Sequence, residues 1–270
     1  MASLLAEHGR PLDEMIGVCF DGTGYGHDGT IWGGEFFAVS RGVFRRAAHI
    51  AVFPLLGADA SIRHPWRVSL AVLHAAGLAW NSRLAPVRAA AELDLRVFKR
   101  QLDATLNCAQ TSSMGRLFDA VAALAGVKQS ITYEAEAAMH LEALAAGAAG
   151  DLGGYAFALE DAEPIRVGWQ PVVQAVAADA IEGMPPAVIA ARFHAAVARM
   201  IVDVCTRLRA QRAGETVGLT GGVFQNALLM QMTIEELHRA GFEVLVHQRV
   251  PANDGGLALG QAVLARGWAG

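Results

Sequence analysis

A short apolar run, Met15-Ile16-Gly17-Val18-Cys19-Phe20, ends on Asp21 and passes straight into Gly22-Thr23-Gly24-Tyr25-Gly26-His27-Asp28-Gly29-Thr30-Ile31-Trp32-Gly33-Gly34. The apolar part reads as a buried strand. Six glycines within the thirteen residues 22–34 then require a backbone that bends tightly. Read from its residues, the segment is either an anion cradle or a glycine-rich β-hairpin. As a cradle it would offer bare N–H groups and a leading carboxylate able to hold a cation.

At 270 residues and 28.5 kDa, the chain is long enough to bury a sizeable core as one large domain or two small ones. Hydrophobic residues make up 53 % and charged residues 18 %, which places it among globular rather than disordered chains. A net charge of −4 argues against an electrostatic nucleic-acid binder. The stretch Arg41 to Arg46 and the arginines at 63 and 67 read as a solvated face or a site for a small anion. Cys19, Cys108 and Cys205 are widely separated and form no CxxC pair, as expected of buried thiols in a reducing cytoplasm. No signal-peptide h-region and no apolar run of about 18 residues is present, so the expected location is cytoplasmic, without membrane contact.

Residues 3–8 resemble the tail of a helix closed by Gly9 and Pro11. After strand 15–20 and the glycine run, Glu35–Ser40 and Val43–Phe53 read as an antiparallel pair joined at Arg41-Gly42. From Pro65 to about 147 the pattern is helical, with Trp66, Leu70, Leu73 and Gly77 on one face and Leu117, Val121 and Leu124 on another. A glycine-rich break at 147–154 is the best internal boundary and gives an expected division into 1–150 and 151–270. Strands near 155–159 and 165–167 and a long helix from Pro186 to about Arg212 follow. Two strand–turn–helix units end the chain, Val217-Gly218-Leu219-Thr220 before Gly221-Gly222, and Val244-Leu245-Val246 before Asn253-Asp254-Gly255-Gly256. The class is α/β.

Chemistry is concentrated at three strand ends. A strand entering Gly221-Gly222 and then a helix turns free N–H groups and a positive helix end towards an anion, although such a turn also serves plain packing. Asp254 stands at a strand-to-helix junction, where a carboxylate is also a common N-cap. Open α/β folds bind ligands beyond the carboxyl ends of their strands. Converging there, Asp21 and Asp254 would be two oxygen ligands for one metal, with Gly-Gly turns holding a nucleotide phosphate beside it.

The segments FDGTGYGHDGTIWGGEFF (20–37), GADASIRHPWR (57–67), TSSMGRLFDAVAALAGV (111–127), LTGGVFQN (219–226) and PANDGGLALGQAV (251–263) run in the order seen in a known family. The chain resembles the carbamoyl-transfer region of HypF-type carbamoyltransferases of NiFe-hydrogenase maturation. It is similar, more distantly, to antibiotic O-carbamoyltransferases and tRNA threonylcarbamoyl-transfer proteins. The resemblance implies a two-lobed fold of the actin/Hsp70, ribonuclease H-like kind. Its N-terminal lobe would be incomplete, carrying the glycine loop and a helical insertion within 1–150, and the phosphate and second aspartate loops would lie in 151–270. It implies carbamoyl transfer from carbamoyl-adenylate, made from ATP and carbamoyl phosphate in an adenylate-forming domain of the same enzyme. The acceptor would be the C-terminal cysteine thiol of a HypE-type partner, and the product the precursor of the hydrogenase cyanide ligand.

Residue by residue, the resemblance carries the metal-binding and catalytic role to Asp21 and Asp254, with iron or zinc polarising the carbamoyl carbonyl. Adenine-nucleotide contacts (ATP, AMP or carbamoyl-adenylate) fall to Gly33, Gly34, Ser113, Gly115, Gly221, Gly222 and Asn226. Asp119 becomes the acceptor of ribose hydroxyls, in place of a solvated helix position, and Glu134 a ribose or adenine candidate. The partner brings the thiol, so the three cysteines read as core residues. Two departures stand out. The family's HxxxH metal motif precedes a segment like Ala2–His8, and none of the nine histidines here recreates that spacing, so half a metal site is expected. Tyr133-Glu134-Ala135-Glu136 and His140 stand where the family has a Gly-Gln pair and an acid. The alternatives are a non-catalytic nucleotide-binding or partner-docking module, and carbamoylation of a small-molecule hydroxyl or a threonyl group.

Overall fold

The computed structural model of the chain describes residues 1–10, 14–57, 59–148, 153–211 and 213–268. In chain order its elements begin with α1 (Ala2–Glu7), β1 (Met15–Tyr25), β2 (Ile31–Ser40), β3 (Val43–Ile50) and β4 (Phe53–Leu56). Then come α2 (Asp59–Arg63), α3 (Pro65–Ala75), α4 (Ala85–Ala89), α5 (Glu92–Asp103), β5 (Cys108–Thr111), α6 (Met114–Leu124) and α7 (Glu136–Ala146). The second half holds β6 (Ala158–Glu160), β7 (Ile165–Gly168), α8 (Gln170–Glu182), α9 (Pro186–Ala210) and β8 (Thr216–Thr220). The last elements are α10 (Ala227–Arg239), β9 (Glu243–Val246) and α11 (Leu257–Trp268), with single 3-10 turns at Gly222–Gln225 and Asp254–Gly256.

Among the described residues, nine strands form one sheet in the order β6-β7-β3-β2-β1-β8-β9, with β5 set against β2 and β4 against β5. Strand β2 runs antiparallel to β1 and β3, whereas β1, β8 and β9 are mutually parallel. The central order β3-β2-β1-β8-β9 with one reversed strand is the ribonuclease H-like arrangement of the actin/Hsp70 kind. Strands from both sides of residue 150 pair in this sheet, and 149–152, within the expected break, lie outside the described residues. So do Pro11 and Arg212.

The hydrophobic pattern explains the layering. Met15, Ile16, Val18 and Phe20 are all buried, as befits a central strand covered on both faces. Arg41 and Gly42 join β2 to β3 with φ of 48° and 76°, the paired positive values of a tight hairpin turn that matches strand twist. All eleven residues of α6 are buried, and a helix hydrophobic nearly all round belongs in the middle of a core. Phe118 on α6 meets Phe193 on α9 edge to face at 4.8 Å between ring centroids. Trp169 is buried and donates its indole N–H to the Ala51 carbonyl at 2.9 Å, tying the start of α8 to the end of β3.

The structure decides one open reading and departs from the expected elements in two places. The glycine run is a hairpin: β1 continues through Gly24 and Tyr25, which pair with Trp32 and Ile31, after an irregularity between Phe20 and Gly24. The helical stretch of 65–147 is interrupted by β5, because left-handed Thr105 and Asn107 (φ 52° and 55°) end α5 and feed a strand that β4 pairs. Helix α8 lies outside the expected elements and ends at Gly183 in the left-handed conformation. Among the described residues, no helix is long and apolar enough to cross a membrane.

Candidate functional site

Parallel pairing aligns the exits of three strands. Cys19 of β1 faces Thr220 of β8, and Leu219 of β8 faces Val246 of β9. Asp21, at the irregularity within β1, Gly221-Gly222 at the exit of β8 and the Asp254 segment after β9 therefore lie towards the same end of the sheet. The three loops singled out by the sequence converge here, beyond the carboxyl ends of adjacent parallel strands.

Asp21 sits at the irregularity in β1 and accepts the Gly22 N–H at 2.7 Å. The Gly222 amide also donates to it, and a Cβ on Gly222 would lie 3.0 Å from Asp21 Oδ1. Burial pushes the Asp21 carboxyl above its ordinary value. The amides of Gly22 and Gly222 pull it down, while the charges of Asp254 and Glu134 push it further up. Asp254 and Glu134 are both exposed, so the three carboxylates border one solvent-facing region with Asp21 deepest.

Gly221 explains how β8 is brought so close. Its φ is +104°, and a Cβ there would stand 2.1 Å from the Phe20 carbonyl oxygen, so only glycine fits. Its N–H donates to the Ala252 carbonyl, in the loop after β9, at 2.9 Å. The amides of Gly221 and Gly222 are thus committed within the chain rather than free for an anion. The start of α10 is likewise occupied. Asn226 Oδ1 accepts the Leu229 N–H at 2.8 Å, and Glu142 of α7 accepts the Leu228 N–H at 3.1 Å. Asn226 Nδ2 meets Nε2 of buried His194 at 2.9 Å, whose Nδ1 faces the Ala190 carbonyl at 2.8 Å. These contacts assign the Nδ1–H tautomer and a neutral ring, and burial holds His194 down to about 4 against the pull of that carbonyl.

The remaining expected residues frame Asp21. Ser113 caps α6 by accepting the Arg116 N–H at 3.1 Å, and its hydroxyl lies 2.7 and 2.8 Å from the carbonyl oxygens of Asp21 and Gly22. Gly115 packs against the Gly22 backbone, where a Cβ would come within 2.9 Å of Gly22 Cα. Gly33 and Gly34 are buried in β2, and their amides donate to Glu35 Oε2 at 2.6 and 2.7 Å. Glu35 is in turn paired with Arg46 at 2.9 Å, and Arg46 stacks 4.0 Å over Trp32. Ser113, Gly115, Gly33 and Gly34 hold the loop, and the Ser113 hydroxyl and the Gly33 and Gly34 amides are bonded within the protein. Asp119 is 1 % exposed and paired with Arg116 at 2.9 Å on its own helix, a position closed to an outside ribose unless Arg116 moves. Burial pushes its carboxyl up to about 6, against Arg116 and with Glu134 adding to the rise.

The donor set for a metal is short. Asp21 and Asp254 supply carboxylates, and among the described residues no group of three or more His, Cys, Asp or Glu is placed to hold an ion. Two carboxylates leave most of the coordination shell of a divalent ion unfilled, so the residues present do not fit an iron or zinc centre by themselves. Glu142 and His194 escape a reading of the sequence, since each meets its partner across a long separation without a spacing signature.

Residues 17–261 match the family model described as carbamoyltransferase, Kae1-like domain, second subdomain. The chain is 42 % identical over 274 residues to carbamoyltransferase HypF of Rhodobacter capsulatus, with 98 % of this chain and 34 % of that protein covered. It is 36 % identical over 276 residues to carbamoyltransferase HypF of Synechocystis sp., with 96 % and 35 % covered. A crystal structure of full-length HypF in the phosphate- and nucleotide-bound form superposes with a TM-score of 0.88 at 35 % identity, covering 98 % of this chain and 41 % of that one. The chain spans about a third of the length of these curated relatives. With a family match over nearly its whole length, the chain belongs to the HypF carbamoyltransferase family.

Proposed function

We propose that the chain is a carbamoyl-transfer domain, receiving carbamoyl-adenylate where the Asp21 irregularity of β1 meets the segments after β8 and β9 and passing the carbamoyl group to the C-terminal cysteine thiol of a HypE-type partner. The observation that carries this reading is the convergence of Asp21, Gly221-Gly222 and the Asp254 loop at the ends of adjacent parallel strands. A related full-length protein was crystallised with phosphate and nucleotide, which supports a nucleotide as the ligand class here. The adenylate would come from an adenylate-forming domain of the same enzyme.

In the transfer, the acceptor sulfur attacks the carbamoyl carbon and a C–S bond forms. The bond from that carbon to the adenylate oxygen breaks, AMP leaves with the electron pair, and the thiol proton passes to solvent. Two of the chain's own three cysteines are unsuited to the attack. Burial pushes Cys19 up to about 11 despite the nearby N-terminus, and raises Cys205, which is fully buried. The chain's contribution is placement. Ser113, Gly115 and the Glu35–Arg46 pair hold the Asp21 loop, and the Asn226–His194 contact holds the start of α10. An iron or zinc ion here would need ligands beyond Asp21 and Asp254.

The test supplies carbamoyl-adenylate and a HypE-type acceptor to the chain and follows the acceptor by intact-mass spectrometry. Gain of one carbamoyl group on the C-terminal cysteine is expected, and Asp21→Asn, which replaces the deepest carboxylate of the site, should lower it. That variant keeps an oxygen for the two glycine amides and removes a buried charge, so its melting temperature should not drop at pH 7. Transfer to a hydroxyl acceptor alone would redirect the reading to O-carbamoylation. Nucleotide binding without any transfer would favour a non-catalytic module, the reading that the internally committed amides of Gly221 and Gly222 support.

A further inference from the structure

Glu7 closes the short helix α1 and turns both carboxylate oxygens into the segment after β9. Oε1 accepts the backbone N–H of Gln248 at 3.0 Å, of Val250 at 3.2 Å and of Arg249. Oε2 lies 3.0 Å from Nδ1 of His247, and Nε2 of the same ring lies 3.0 Å from Thr220 Oγ1. The side chains of Glu7 and His247 are each 5 % exposed, and Thr220 is 7 % exposed. No step of the reaction uses these three groups.

The protons in this series can be placed. Burial acts to raise the Glu7 carboxyl, but the hydrogen bonds from Arg249, His247, Gln248 and Val250 outweigh it and hold the group at about 2. An ionised carboxylate only accepts, so His247 carries its proton on Nδ1. Burial also lowers His247, against the pull of Glu7, and with the Nδ1 proton directed at Glu7 the Nε2 lone pair faces the Thr220 hydroxyl. The series therefore runs in one direction, from Thr220 O–H to imidazole to carboxylate. The order is that of an activated hydroxyl nucleophile, but Thr220 is nearly buried and locked in register with Cys19, which leaves no room for an acyl group on its oxygen.

What the series does reach is the site's framework. Thr220 directly precedes Gly221, whose N–H bonds to Ala252, and Ala252 lies between the amides held by Glu7 and the candidate ligand Asp254. We propose that Glu7, His247 and Thr220 form a relay that locks the Gly221-Gly222 turn to the Asp254 loop, making Glu7 and His247 positioning residues for the transfer site. The reaction assigned to that site rests on the function proposed above; the relay itself does not.

Glu7→Gln in the whole 270-residue chain is the first test. A glutamine has one acceptor oxygen where the carboxylate uses two, so either the three amides or His247 loses its partner. Amide hydrogen exchange should speed up by about tenfold or more at 248–250 and also at Gly221, while the β2–β3 ladder keeps its rates. Thr220→Val, which keeps shape and removes the hydroxyl, should weaken AMP binding by about tenfold, and Thr220→Ser should restore it. Unchanged exchange at Gly221 in Glu7→Gln, or wild-type AMP affinity in Thr220→Val, would overturn the relay. A wild-type chain that binds no AMP would sink the proposed function alone, and Gly221 exchange would still decide the relay.

Discussion

Asn226 illustrates how one side chain can serve two elements, and why its partner has a measurable signature. It caps α10 with its oxygen and donates its amide to His194, which is fully buried and held neutral. The folded value of His194, about 4, lies below the ordinary 6.5, so on acidification the unfolded chain takes up this proton first. The stability tied to the neutral ring is present in full above pH 6.5 and is lost as pH falls from there towards 4. The melting temperature should decline over that window, and His194→Gln should flatten this part of the curve. Equal slopes in the two proteins would refute the assignment. Residues of this kind divide sharply in how far a sequence exposes them. Asp21 and Asp254 are visible because each stands at a strand end before glycines, a local pattern. His194 meets Asn226 across 32 residues, Glu142 meets Leu228 across 86 and Glu7 meets His247 across 240, and no spacing rule spans such distances.

Among the elements, local pattern carried the strands and missed the pieces that only tertiary pairing stabilises. The β2–β3 hairpin was legible because Arg41-Gly42 is a turn pair between alternating strands. Strand β5 was not, since its four residues hold together only through β4, and its neighbours carry a helical period. The glycine run was legible as tight backbone with a hairpin as one of two readings, because the residue pattern alone also suits an anion cradle. One glycine of that run and one of the β8 turn should differ in a predictable way on substitution. Gly29 has φ +78° with open space around it, so Gly29→Ala should cost about 1 kcal/mol of backbone strain. Gly221→Ala meets both a φ of +104° and the Phe20 carbonyl, and a loss of about 3 kcal/mol or more is expected. Chemical denaturation of the two variants measures the difference. Similar midpoints would mean that β1 and β8 are not as closely apposed as described.

At the scale of the whole molecule, one sheet brings loops from residues 21, 221 and 254 to a single edge, and ligand binding there should be coupled to global stability. A ligand that binds only the folded chain stabilises it by about 2.7 kcal/mol at one hundred times its dissociation constant. In a domain near this size each kcal/mol moves the melting temperature by roughly 2–4 °C, so saturating AMP should raise it by about 5–10 °C. Asp119 separates two origins of that shift. If its carboxylate took the ribose, Asp119→Asn would shrink the shift. Its 1 % exposure and its ion pair with Arg116 instead predict that the starting melting temperature changes while the AMP-induced shift stays as in the wild type. Thermal scans with and without AMP on both proteins decide the point. A shift lost in Asp119→Asn, with the variant still folded, would mean that Arg116 swings away and opens the pair to the nucleotide.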